Sequence, residues 1–262
     1  MANREKKKKM VLNVLPYISV ISLFVGWQLV VTLDIIPNVL LASPIQVAKM
    51  FIYKLSHAQP DGFVLWVHTV VSLKEALLGY FLALVIGIPL GMLMGWFKPV
   101  EGLVGPIFEM LRPMPAIAWI PLTIFWFGIG LTGKVFIIFL SGLVACVINS
   151  YTGVKMTNPT LIRMARTYGA TNWEIFFKIC VPSSLPMVFG GLQVALAACW
   201  TTLVAAEMIA ADSGLGFMIT MGRRLIKTDL IMLGMVMVGL TGVVISVIID
   251  KIETRLIAGV RR

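Results

Sequence analysis

Apolar residues run along this chain in long blocks, parted by short polar punctuation. Blocks near 13–33, 64–96, 104–127, 134–153, 184–211 and 230–250 each reach the ~20 residues that a helix needs to cross a ~30 Å hydrocarbon layer. Alternating segments of about ten residues, the mark of a membrane barrel, are absent. The pattern predicts an all-α, polytopic membrane bundle of about six transmembrane helices, folded as a single domain over 1–262. Between the first two blocks, SPIQVAKMFIYKL reads as an amphipathic helix, with Ser43 as N-cap and Pro44 at the first helical position. Ala48, Phe51, Ile52 and Leu55 share one face, suited to the membrane surface or to neighbouring spans.

One polar stretch breaks the apolar sequence, RMARTYGATNWEIFFKICVP, residues 163–182. Asn158-Pro159 predicts a capped helix reaching about Tyr168. Gly169 then suits a left-handed turn, and Thr171-x-x-Glu174 is a capping box that starts a second helix. Pro182 is expected to end that helix before the next span. The segment 154–183 therefore reads as helix, glycine turn, helix. Leu161, Ile162, Ala165 and Tyr168 form an apolar ridge among Arg163 and Arg166, with Trp173, Phe176, Phe177 and Cys180 as a second stripe. A ridge with a charged rim suits a groove on a partner protein; a loop packed beneath its own bundle would use the same residues.

Composition sharpens the class. The chain is 59% hydrophobic and 13% charged, with mean hydropathy +0.95, far from a soluble domain. Its net charge of +10 fits lysine and arginine held on the cytoplasmic side rather than a nucleic-acid partner. They gather at Arg4 and Lys6–Lys9 in a basic tail over 1–12, in the polar segment, and at Lys251, Arg255, Arg261 and Arg262. Both termini are thereby expected in the cytoplasm, although Arg223, Arg224 and Lys227 fall on the outer side. The run after the tail is too long for a cleaved signal peptide. The three cysteines and two histidines lack ligand spacing, so no metal site is expected.

Ionisable residues inside spans point to a pathway or a pairing. Here they are Lys74, Glu75, Glu109, Arg112 and Glu207. Arg112 precedes Pro113 and Pro115, which must interrupt helical hydrogen bonding; such backbone is tolerated at membrane depth where it lines a cavity or is buried in protein. Arg112 either faces a pathway for an anion or bridges to Glu207 or Glu109. Gly79, Gly87, Gly91 and Gly95 make a small-residue stripe for close helix contact, at a dimer seam or inside the bundle. Asp212 to Gly216 is expected to end the fifth span, as part of an outer gate, a dock or an ordinary turn. GIGLTGKV (128–135) imitates a nucleotide loop, but it lies between apolar spans, lacks the preceding strand, and has Val135 where a hydroxyl would bind magnesium. It reads as a tight turn, and no catalytic cluster is found.

The spacing of Gly169, nine residues, Ile179, one residue, and Val181-Pro182 resembles the coupling loop of ABC-importer permeases. Ala165, Gly169, Ile179 and Pro182 match that pattern, while Arg163-Met164 and Val181 depart from it. RPMPAIAWIPLTIFWFGIG and GGLQVALAACWTTLVAAEMIAADSGLG resemble permeases of the nitrate, sulfonate and taurine importer group, and the likeness covers about 66–250. It implies the type I importer (MetI-like) fold in a bacterial cytoplasmic membrane. It also implies a second copy of the chain, two cytoplasmic ATPase subunits that hold ATP and Mg, and an external solute-binding protein delivering a small, anionic solute. No cofactor is implied on this chain. ATPase coupling then falls to Leu161, Ile162, Arg163, Ala165, Arg166, Tyr168, Gly169, Ala170, Thr171, Glu174, Ile179 and Pro182, and the pathway to Arg112, Pro113, Pro115 and Glu207. The intramembrane charges alone would also permit an ion-coupled secondary transporter, typically longer and built from inverted repeats.

Overall fold

The computed structural model describes residues 2–260, mostly helical, with no strand among them. The side chains of the basic tail expected over 1–12, and all of Arg261 and Arg262, lie outside the described residues. The chain divides into two compact units, Met1–Trp66 with Met218–Val236 and Val67–Phe217 with Met237–Arg262.

The smaller unit contains α1 (Ala2–Thr32) and α2 (Pro44–Ser56). The apolar stretch of α1 among described residues is Tyr17–Thr32, within the first expected span. Ser43 caps α2 as its sequence predicts: its hydroxyl accepts the Gln46 N–H at 3.3 Å and its N–H donates to the Gln46 side chain at 2.8 Å. Trp27 donates to the Ala42 carbonyl at 3.1 Å, fixing the approach to the helix. Ile52 and Leu55 are exposed. Lys54, whose partner no local pattern announces, is fully buried and bound to Asp61 and to the Phe63 carbonyl. Burial of an ammonium is tolerable only with such partners.

The larger unit is built on α3 (Leu65–Trp96), α6 (Leu131–Lys155) and α9 (Val181–Ile209), joined by the far half of α10 (Thr228–Val260). Ala76, Tyr80 and Ala83 of α3 meet Ile138 and Cys146 of α6 and Ala195, Cys199 and Leu203 of α9 in one core. The glycine stripe belongs inside this unit. A Cβ on Gly87 would press on Cys146, one on Gly91 on the Val147 carbonyl, and one on Gly95 on Val154. These glycines let the α3 and α6 backbones touch along their length, so a dimer seam at the stripe is overturned.

Among the described residues, four helices are long and apolar enough to cross a membrane, and a bent pair, counted as one span, makes a fifth. The pair corrects the expectation of one straight span over 104–127. Instead α4 (Lys98–Leu111) and a 3-10 turn at Ala116–Trp119 leading into α5 (Ile120–Phe127) meet at 86°. Pro113 and Pro115 cannot donate to the helical ladder, and Pro115 is extended at φ −60°, ψ 134°. The helix stops at Arg112 and restarts in a new direction.

Candidate functional site

The polar segment folds largely as its caps dictate. In α7 (Pro159–Thr167) the Asn158 side chain accepts the Thr160 N–H at 2.9 Å. Gly169 follows at φ +79°, where any side chain would be strained, and the Ala170 N–H returns to the Ala165 carbonyl at 3.0 Å. Thr171 and Glu174 then form the reciprocal box, at 3.3 Å and 3.0 Å, opening α8 (Asn172–Ile175). Glu174 also accepts from Lys178 at 3.2 Å.

Pro182 does not end the second helix. α8 continues through a π turn at Phe176–Cys180 directly into α9, giving one helical rod over Asn172–Ile209. The widened turn, with the Val181 N–H bonded back to Phe176, sits where the proline ring would otherwise clash with the preceding turn. Residues after Gly169 are therefore rigidly continuous with a membrane-spanning helix.

The apolar ridge divides in two. Ile162, Ala165, Ala170 and Ile179 pack against a core of Met92, Val154, Ile175, Phe176, Cys180 and Val188. Leu161, Met164, Tyr168, Trp173 and Phe177 face outward instead; Tyr168 is 86% exposed, and Trp173 stacks on Phe177 at 5.8 Å. Arg163, Arg166 and Thr171 are exposed around them. The loop is thus both seated on its own bundle and unfinished on its far side. Five large apolar side chains exposed at a helix pair with a basic rim form a patch of the kind that a partner covers.

Behind the loop, Phe97 at the α3–α4 corner packs on Trp173 at 4.6 Å and Phe176 at 5.5 Å. Glu101 of α4 accepts from Tyr151 and, at 3.0 Å, from Lys155, both on α6. The aromatic contact and the ion pair join the loop to the first arm of the bent pair, which leads to Arg112.

Arg112, Pro113 and Pro115 lie at the bend. Arg112 reaches Glu109 at 3.4 Å, one turn back and exposed, and not Glu207. It lines two spaces: a cleft of about 390 Å³ with Glu101, Glu109 and Tyr151, and a cavity of about 570 Å³ with Trp119, Trp126, Ser141 and Thr202. Pro115 lines the second.

Glu207 lies elsewhere, in a network that the sequence did not disclose. Its carboxylate, 1% exposed, accepts the Ser72 hydroxyl at 2.6 Å and the Gly216 N–H at 2.8 Å. The Leu215 N–H donates to Ser72 at 2.8 Å, and the Gly214 N–H to His68 Nδ1 at 3.0 Å. Three successive N–H groups of the Asp212–Gly216 turn are so captured by α3 and α9. Gly214, at φ +123°, has no room for a side chain beside that carboxylate. Glu75 pairs with Lys134, in the first turn of α6. These partners stand 59 and 135 residues apart, and only their apolar surroundings hinted that partners must exist.

The chain matches the family described as binding-protein-dependent transport system inner membrane component over residues 87–262. It is 35% identical over 233 residues to the taurine transport system permease protein TauC of Escherichia coli strain K12, across 88% of this chain and 84% of that one. It is 32% identical over 246 residues to the putative aliphatic sulfonates transport permease protein SsuC of the same strain, across 94% and 92%. Among solved structures, an inward-facing form of the MetNI methionine ABC transporter matches with TM-score 0.61 at 21% identity, covering 76% of this chain and 98% of that chain. The last likeness establishes a shared MetI-type fold.

Proposed function

The chain belongs to the family of binding-protein-dependent transport system inner membrane components, and from that premise we propose that it works as a homodimeric permease driven by two cytoplasmic ATPase subunits and fed by an external binding protein. The observation that carries the reading is the loop around Gly169. Its inner side is packed on the bundle, its outer side offers Leu161, Met164, Tyr168, Trp173 and Phe177 uncovered, and its second helix continues unbroken into α9. A groove on each ATPase receives that outer side. Closure of the two ATPases on ATP and Mg drags the loops together, and the rod Asn172–Ile209 and the Phe97 contact carry the movement into the bundle. The work passes by contact between rigid bodies, so no cofactor is needed on this chain.

The solute is small and anionic. Relatives whose names specify taurine and aliphatic sulfonates support this class, as does Arg112 at the bend. Glu207 serves as an anchor for the Asp212–Gly216 turn rather than as a pathway group, since its two oxygens already accept hydrogen bonds. In this orientation the loop and both termini are cytoplasmic.

Sealed vesicles containing the chain and its ATPase partner test the reading. Uptake should require ATP and the partner. Uptake persisting on a proton gradient, with neither present, would establish the ion-coupled alternative.

A further inference from the structure

The two spaces that meet at Arg112 differ in charge. The cleft of about 390 Å³ presents two carboxylates, Glu101 and Glu109, beside the guanidinium. The cavity of about 570 Å³ has Arg112 as the charged residue among those lining it, and no carboxylate. Within it, Ser141 and Thr202 share one hydrogen bond at 2.9 Å. Two hydroxyls joined by one bond leave one O–H free to donate. Trp119 and Trp126 provide broad apolar walls. The backbone at residues 112–115 has left the helix, as is tolerated at membrane depth where it borders a cavity.

We propose that this cavity is a binding site of the permease itself for a small organic anion, whose charged head meets Arg112 and the Ser141–Thr202 hydroxyls while its apolar stem lies against Trp119 and Trp126. The proposal rests on the reading of the chain as a carrier of a small solute, and adds where the solute pauses and what selects it. A cation lining a cavity that no acid lines favours a negative ligand there. The guanidinium is also shared. Its partner Glu109 is on the acid-lined side, 3.4 Å away and exposed, so ligand and Glu109 compete for one group. A weak, surface-type pair is well suited to such exchange: it holds Arg112 when the cavity is empty and yields when an anion arrives.

Competition gives a signature that a purely structural arginine lacks. The full-length chain in lipid nanodiscs is titrated with 1-propanesulfonate, and with 1-butanol as a neutral molecule of similar apolar size, following tryptophan fluorescence. Propanesulfonate should give a saturable change, reduced in Trp119→Phe and Trp126→Phe, and butanol should not. Arg112→Ala should weaken sulfonate binding at least about tenfold, as loss of a charge-assisted contact does. Glu109→Gln should tighten it about two- to fivefold by freeing the guanidinium. Thr202→Val, a milder change, should weaken it severalfold, so the proposal stays testable if Arg112→Ala fails to fold. Equal binding of butanol, no saturable response, or a Glu109→Gln variant no tighter than the parent would overturn it. ATP-driven uptake is scored separately: uptake intact without sulfonate binding removes the cavity and leaves the permease reading standing, whereas binding intact without ATP-dependent uptake does the reverse.

Discussion

Around Glu207 the protein meets polar groups with partners: two carboxylate oxygens, a serine hydroxyl, a histidine nitrogen and three successive N–H groups are matched in one buried cluster. Around Gly169 it leaves large apolar groups unmet, with Tyr168, Trp173 and Phe177 uncovered at the end of an otherwise packed loop. Both regions hinge on a glycine in the left-handed region, and both belong to the same compact unit. The difference teaches how to read buried charge in a membrane bundle. Where buried polar groups find their partners within the chain, they hold the fold. Where surface is left over, the fold is waiting for something else.

Substitutions that strand a buried group should separate the regions most strongly. Lys134→Ala leaves Glu75 buried without its cation and is expected to cost about 3–5 kcal/mol of stability, read as a large fall in melting temperature in detergent. Replacing both partners, Lys134→Met with Glu75→Leu, should recover most of that loss. If the double variant is no better than the single one, the pair does more than hold α3 to α6.

Glu207→Ala should follow, at about 1–3 kcal/mol for each of its two stranded donors, Ser72 and Gly216. Hydrogen exchange should rise at Gly214–Gly216 before it rises in the α7 loop. Simultaneous loosening of both would erase the distinction between the regions.

Gly91→Ala probes the seam beneath them. With the Val147 carbonyl and Ser150 in the way, overpacking should cost about 1–3 kcal/mol. A neutral result would mean that α3 and α6 separate freely. Gly169→Ala, with open space but φ +79°, should cost only about 1–2 kcal/mol of local strain, and should lower transport by more than that loss predicts.

Much of this was readable in advance where the cause is local. Ser43, Asn158 and Thr171 cap because each sits a fixed step from the N–H it serves, and Gly169 turns because its neighbours cannot. The apolar blocks located the long helices. What stayed hidden depends on folding itself. Nothing near Glu207 announces Ser72, nor near Glu75 announces Lys134. The glycine stripe told of close contact without naming its partner, α6. The prolines misled in both directions: Pro113 and Pro115 turned an expected straight span through 86°, while Pro182, expected to stop a helix, was absorbed by a π turn. Half of the anticipated ridge proved to be inner packing, because Ile162 and Ala165 face the core while Leu161 and Tyr168 do not.

The smallest effect on stability and the most telling effect on function should come from the uncovered side chains. Tyr168→Ala changes an exposed position, so the stability should stay within about 0.5 kcal/mol of the parent. Titrating the ATPase subunit onto the chain in nanodiscs then measures the central claim directly. The account predicts that Tyr168→Ala, and more strongly Leu161→Asp, weaken that association at least tenfold and abolish ATP-driven uptake in a fully folded permease; association and uptake at parental levels in both variants would contradict it.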